Sequence, residues 1–304
     1  MITLETVSKA IYQTIKKCTC CIPDDLSAAF DDAIQRENSE LGKMALQKTQ
    51  ANFRFAKQND YLACSDTGWP LFYYAIGDKV QLEGGLSGLE EISRKMVAQA
   101  TKDGFMRATV KHPITGSDPG NNIGSNVPNF TYKHVPGESI QVTFVSKGGG
   151  SECFGGTRYQ VIAFADGVHG IEKFIIDSYI EGARGGKICP PSIIGIGIGG
   201  TADISAKLAK QAAALRLVNS KHPEPEIAEL EDRLYQAINM LGIGGGLGGR
   251  VSVLGVNIEY AYSHIGGIAV SMCASCVATR RATSIIHADN VVEEKASPTW
   301  FNGR

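Results

Sequence analysis

The chain has 304 residues, of which 43% are hydrophobic and 20% are charged, and its formal net charge at pH 7 is −1. This composition is ordinary for a folded protein with an ample core. Since no basic segment is present, nucleic acid is not an expected partner. No apolar run is long enough to span a membrane, and residues 1–17 form an amphipathic pattern rather than a signal peptide. We therefore expect a cytoplasmic protein without a membrane partner, whose eight cysteines are reduced.

The order of predicted elements indicates a mixed α/β fold. Apolar residues recur at helical spacing over 4–15 and again after the start signal Pro23-Asp24-Asp25, and a third helix is predicted over 39–57. Short apolar runs then predict strands over 71–76, 139–145 and 251–258. Further helices are predicted over 90–102, 168–181, 202–218 and 225–241. We predict a single domain over 1–304, in which a helical N-terminal layer (about 1–60) packs on a glycine-rich α/β body.

One glycine-rich segment matches the spacing of a dinucleotide-binding fingerprint: Gly195-Ile196-Gly197-Ile198-Gly199-Gly200. That fingerprint requires a helix and then a second parallel strand with an acidic residue for the ribose. Here the predicted helix is followed by His222-Pro223-Glu224-Pro225 and by another helix, so a βαβ unit is not expected. The glycines are expected instead to let the backbone pass close to a neighbouring element or a ligand.

Three cysteines that are far apart in the chain stand in short segments suited to the wall of an active site: Cys64, Cys189 and Cys276. Cysteine is the usual ligand of iron–sulfur clusters, and a cubane needs four ligands. Three protein thiolates would leave one iron open, and an open metal position is what Lewis-acid catalysis requires. This pattern favours a hydro-lyase over an electron carrier.

The remaining cysteines leave alternatives open. Three of them lie together at the end of the first predicted helix: Cys18, Cys20 and Cys21. A zinc site could combine them with the C-x-x-C pair Cys273 and Cys276, although surface or core thiols are favoured. Cys153, beside a glycine run, could be a reactive thiol, but burial is the commoner fate of a free cysteine.

The neighbours of the three separate cysteines distinguish them from the others. Asp66 stands two residues after Cys64 in a turn, and Cys189-Pro190-Pro191 is a rigid turn after a helix. The run Gly148-Gly149-Gly150-Ser151 offers backbone N–H groups of the kind that form anion-binding nests. Without further information, Asp66 could equally be a turn cap.

Together with further motifs, these segments resemble the α chains of class I iron–sulfur fumarate hydratases and of L-tartrate dehydratases, over residues 41–289. The motifs that carry the resemblance are Cys64-Ser65-Asp66-Thr67-Gly68, Asn122-Ile123-Gly124-Ser125-Asn126-Val127-Pro128, Lys147-Gly148-Gly149-Gly150-Ser151, Cys189-Pro190-Pro191, Gly199-Gly200-Thr201, Leu241-Gly242-Ile243-Gly244 and His287-Ala288-Asp289. The resemblance implies the α-type domain of that family and a 4Fe–4S cluster with one iron that has no protein ligand.

The resemblance also implies roles for individual residues. The cluster ligands fall on Cys64, Cys189 and Cys276, with Cys273 as a rival for the third position. The catalytic aspartate and histidine fall on Asp66 and His264, although His264 could also be a core histidine. The substrate-binding positions are Arg107, Ser65, Thr67, Gly149 and Gly150.

The implied reaction is the reversible hydration and dehydration of a small dicarboxylate, with fumarate and (S)-malate favoured and L-tartrate as the alternative. Ser65 stands where many fumarases carry glutamine, and the pair Arg280-Arg281 is closer to the tartrate dehydratase pattern. Because the chain ends at Arg304, we expect a separate β subunit that supplies the C-terminal-type domain, in an (αβ)2 assembly. A more remote alternative is a non-catalytic metal protein with four thiolate ligands.

Overall fold

A computed structural model describes residues 1–153, 156–218 and 220–301. The chain divides into two compact units, of which the second comprises Asp24–Asn52 and Gly148–Thr279. The first comprises Met1–Pro23, Phe53–Lys147 and the segment that starts at Arg280. Each unit contains one β-sheet together with helices, and this confirms the predicted mixed α/β class. The extent of a single functional domain over 1–304 stays a prediction.

The helices are α1 (Leu4–Cys20), α2 (Asp24–Arg36), α3 (Glu40–Asn59), α4 (Gly88–Lys102), α5 (Gly149–Cys153), α6 (Gly167–Arg184), α7 (Ala202–Leu215) and α8 (Pro225–Asn239). The strands are β1 (Trp69–Gly77), β2 (Asn129–Val135), β3 (Ile140–Lys147), β4 (Thr157–Ile162), β5 (Ser192–Ile198), β6 (Val253–Tyr260), β7 (Ile268–Ser275), β8 (Arg281–Ile286) and β9 (Val292–Lys295). Within the described residues, no helix combines the length and the apolar character needed to cross a bilayer.

The first unit is built on a five-stranded sheet in the order β2-β1-β3-β8-β9. Strand β1 is parallel to β2 and antiparallel to β3, and β8 continues the sheet antiparallel to β3. The predicted apolar stripe of α1 packs against this sheet, since Val7, Ile11 and Ile15 share one buried core with Phe72 and Phe144. The helix is therefore held by burial of one face, as its spacing predicted.

The second unit contains a four-stranded sheet in the order β4-β7-β5-β6. Strand β7 is antiparallel to both β4 and β5, whereas β5 and β6 are parallel. The prediction that no parallel strand follows the glycine-rich segment is therefore wrong. Two helices, α7 and α8, separate the parallel strands β5 and β6 in the chain. Because the second helix follows the first directly, the sequence pattern did not indicate that a parallel strand comes after them.

The glycines of this segment nevertheless serve the packing role that was expected of them. Gly195 and Gly197 lie inside β5, not in the turn after it where a phosphate-binding fingerprint needs its glycines. A Cβ at Gly195 would overlap backbone atoms of Ala209 and Ala213, and one at Gly197 would overlap the backbone of Ser205. Both glycines thus let α7 pack directly on the strand.

We expect Gly197→Ala to lower the free energy of unfolding by about 1–3 kcal/mol, because the added methyl group would force α7 away from β5. Urea unfolding of the purified chain measures this change. Gly245→Ala is the matched control, since a Cβ at Gly245 meets no atom within 4 Å. Equal unfolding midpoints for the two variants would contradict the close packing of α7 on β5.

Candidate functional site

In the first unit, the segment between α3 and β1 is held by side chains from elsewhere in the chain. Each of the five consecutive carbonyls from Cys64 to Gly68 accepts a side-chain hydrogen bond. Arg280 donates to the carbonyls of residues 64 and 66, over 3.5 and 2.6 Å. Arg107 Nη1 donates to that of residue 65 over 2.9 Å. The hydroxyls of Ser146 and Thr109 donate to those of residues 67 and 68.

These bonds fix the backbone of a segment that carries two of the predicted chemical groups. The thiol of Cys64 and the carboxyl of Asp66 are both half-buried, and neither takes part in the five bonds. Thr67 is fully buried, and its hydroxyl accepts a bond from the backbone N–H of Arg107 over 3.1 Å. A backbone held from several directions orients its side chains with little freedom, which a catalytic constellation requires.

Arg107 is placed by a buried asparagine from the predicted motif 122–128. The Asn122 amide donates to the Arg107 carbonyl over 2.7 Å, and its oxygen accepts from the N–H groups of Thr109 and Val110 over 2.9 and 3.3 Å. Asn122 adopts a positive φ of 60°, which asparagine tolerates better than most residues. The structure thereby brings the predicted residues Ser65, Thr67 and Arg107 together, with the Arg107 side chain exposed to solvent.

In the second unit, the segments of Cys189 and Cys276 are adjacent. Cys189 lies in the turn between α6 and β5, and Cys276 lies just beyond the end of β7. The backbone N–H of Val277 donates to the Cys189 carbonyl over 2.9 Å. Cys189 is exposed and Cys276 is half-buried, so neither is a core thiol.

The rival ligand Cys273 has a different environment. It lies within β7, is fully buried, and packs against Ala209 and Ala213 of α7. Its sulfur also accepts a hydrogen bond from the Thr157 hydroxyl over 3.6 Å. Such contacts are typical of a small core residue, and they favour Cys276 as the ligand.

The remaining cysteines divide by burial. All eight cysteines are free thiols, and Cys18 and Cys20 are buried on α1, whereas Cys153 is exposed. Burial raises the pKa of Cys18 to about 12, so this thiol stays protonated near neutral pH. Because a metal ligand must be a thiolate, Cys18 is poorly suited to that role.

His264 and the glycine run lie in loops of the second unit. His264 is exposed between β6 and β7, so the alternative of a core histidine is wrong. Its Nδ1 accepts the N–H of Gly266 over 3.1 Å, which places the proton of the neutral ring on Nε2. Gly149 and Gly150 begin the short helix α5, which an ion pair between Lys210 and Glu152 ties to α7. Asp66 belongs to the first unit, and its pairing with His264 stays a prediction.

The donor chemistry of the predicted ligands fits an iron–sulfur cluster. Cys64, Cys189 and Cys276 are thiols on loops rather than core residues, and thiolates are the ligands that hold such clusters. Over residues 1–153, 156–218 and 220–301, no group of three or more His, Cys, Asp or Glu side chains is arranged to hold a metal ion. Which cysteines hold the cluster is therefore a proposal.

Comparison with known proteins places these residues in a family. The family model "Fumarate hydratase (Fumerase)" matches residues 8–285. A Methanocaldococcus jannaschii protein, provisionally named L(+)-tartrate dehydratase subunit alpha, is 35% identical over 286 residues, which cover 93% of this chain and 98% of the relative. The L(+)-tartrate dehydratase subunit alpha of Escherichia coli O157:H7 is 34% identical over 274 residues, covering 90% of this chain and 88% of that protein. The chain therefore belongs to the fumarate hydratase family.

Proposed function

We propose that this chain is the α subunit of an iron–sulfur hydro-lyase that hydrates or dehydrates a small dicarboxylate. The observation that carries the proposal is the anchored segment 64–68, in which a thiol and a carboxyl are held beside the exposed guanidinium of Arg107. Fumarate and (S)-malate are the first candidate substrates, in keeping with the family. L-tartrate is the second candidate, because the relatives are named for it.

The proposed cluster ligands are Cys64, Cys189 and Cys276, which would leave one iron of a 4Fe–4S cluster without a protein ligand. When bound, the cluster would supply a Lewis acid for departure of the substrate hydroxyl. The accessible thiols of these three residues support this assignment, as does the core packing of Cys273.

The chain's own side chains are proposed to bind the carboxylates and to move the proton. Arg107 has a planar fork of donors suited to a carboxylate, and one of them already fixes its position on the Ser65 carbonyl. The Ser65, Gly149 and Gly150 positions are proposed to complete the substrate contacts, and the fully buried Thr67 is proposed to act by holding the Arg107 backbone. Asp66 and His264 are proposed to assist proton transfer at the leaving hydroxyl, because carboxyl and imidazole groups are usual general acids and bases in enzymes.

A β subunit is proposed as the partner, within an (αβ)2 assembly located in the cytoplasm. The proposal is supported by the relatives, which are named as α subunits. The β subunit would supply the catalytic base and further cationic groups. A non-catalytic metal protein is the competing hypothesis, and it predicts no dependence of any property on Asp66 or His264.

Turnover assays with three candidate substrates test which dicarboxylate the enzyme uses. The chain is purified anaerobically, alone and with its co-purifying partner, reconstituted with iron and sulfide, and assayed with (S)-malate, L-tartrate and mesaconate. We expect turnover only with the partner present, and a preference of about 10²-fold between malate and L-tartrate, which differ by one hydroxyl group. Full turnover by the chain alone would contradict the β-subunit proposal. Activity on none of the three substrates would contradict the hydro-lyase.

A further inference from the structure

We propose that Arg280 is the positioning residue for the segment that carries Cys64 and Asp66, and that its charge would favour an anionic cluster bound through Cys64. This proposal rests on the proposed function. Arg280 is fully buried and lies immediately before β8, more than two hundred residues from the segment that it holds. Its hydrogen bonds to that segment go to backbone carbonyls, so its role would be exerted through other residues.

The geometry of the guanidinium explains why an arginine is needed. Nη2 donates to the Asp66 carbonyl over 2.6 Å, and Nη1 reaches the Cys64 carbonyl at 3.5 Å. These two carbonyls flank Ser65, so the two terminal nitrogens of one planar guanidinium bridge the turn from residue 64 to residue 66. A lysine ammonium is a point charge on a flexible stem and does not reproduce a fork of fixed geometry. The Arg280 backbone is held in turn, because its carbonyl accepts the Ser146 N–H over 3.4 Å.

Within the part of the chain that the structure describes, Arg280 forms no ion pair, and its buried Nε has no hydrogen-bond partner. A buried cation without an anion is costly, so we infer that a negative charge lies near Arg280 in the working protein. Cys64 would be a thiolate as a ligand of the proposed cluster, and its backbone carbonyl is one of the two that Arg280 holds.

Two substitutions distinguish the hydrogen-bond geometry of the Arg280 guanidinium from its positive charge. Arg280→Gln removes both, whereas Arg280→Lys keeps the charge and loses the fork. The first measurement is hydrogen exchange of the metal-free chain, followed by mass spectrometry of peptides that cover residues 64–70. We expect exchange there to be about tenfold or more faster in both variants, which corresponds to loss of a hydrogen bond from a charged donor. Peptides from α7 and α8 should not change.

The second measurement is the reduction potential of the reconstituted cluster. Removing a nearby positive charge disfavours the reduced form, so Arg280→Gln should shift the potential to more negative values. Arg280→Lys should restore the potential without restoring slow exchange at 64–70. If Arg280 were only structural, Arg280→Lys would change the exchange rate and the reduction potential together.

The matched control is Arg94→Gln. Arg94 also lies in the first unit and donates to a backbone carbonyl, that of Val127, over 3.1 Å. The Arg94→Gln substitution should leave both hydrogen exchange at 64–70 and the reduction potential unchanged.

The proposal is overturned if Arg280→Gln and Arg280→Lys exchange at the wild-type rate, or if Arg94→Gln produces the same changes. Should Arg280→Gln not fold, Arg280→Lys alone decides the exchange result. Because exchange is measured on the metal-free chain, failure of the hydro-lyase assay would leave this result intact.

Discussion

Cys276→Ser is expected to abolish cluster assembly and to lower turnover by about a thousandfold or more. The reason is that a Lewis acid lowers the activation barrier by several kcal/mol, and this stabilisation would be lost with the cluster. Cys273→Ala, only three residues away, is expected to leave both properties close to those of the wild type. The difference follows from the two environments. Cys273 packs against α7 in the core, whereas Cys276 lies on a loop beside the Cys189 segment.

The measurement is iron and sulfide content after anaerobic reconstitution, together with EPR of the reduced protein with and without (S)-malate. Cys273→Ala serves as the control for local damage near the end of β7. Loss of the cluster in Cys273→Ala with a correctly folded chain would point to four thiolate ligands and to the non-catalytic alternative. A cluster signal in Cys276→Ser that still responds to malate would show that the assigned ligand is wrong.

Asp66→Asn and His264→Asn are expected to lower kcat by about 10²–10⁴-fold while the cluster is still assembled, which is the usual contribution of a general acid or base. Asparagine suits both positions. At residue 66 it keeps the size of the side chain, and the Arg280 bond to the backbone carbonyl does not depend on the carboxylate. At residue 264 it keeps an acceptor for the Gly266 N–H.

Steady-state kinetics of the reconstituted protein with its partner provide the test, with iron content measured on the same samples. Suitable controls are Asp78→Asn in the first unit and the exposed His169→Asn on α6. Both controls should keep kcat within about twofold, since surface substitutions away from the site act weakly. If kcat is unchanged in Asp66→Asn and His264→Asn, the proton-transfer roles are refuted. If only KM rises, these residues bind the substrate and do not move the proton.

The predicted helices are all present within a few residues of their expected bounds, because each buries one face and so carries a helical apolar period. Several strands had no comparable signal. Strand β7 contains small and polar residues, Ser271, Cys273 and Ser275, yet it is buried along most of its length. A strand covered on both faces needs no alternation. Strand β2 is paired on one side only and is mostly solvent-accessible, so few apolar residues mark it.

For the site, the sequence predicted the chemical groups: a thiol followed by an acid at Cys64 and Asp66, and a family pattern for the other residues. The family pattern already favoured Cys276 over Cys273, and the tertiary structure adds a physical reason, because Cys273 is buried against α7, a contact between elements far apart in the chain. Only the tertiary structure showed that Arg107, Ser146 and Arg280 hold the carbonyls of segment 64–68. Local spacing determines which face of a helix or strand is apolar, whereas a hydrogen bond across some two hundred residues depends on how the whole unit folds.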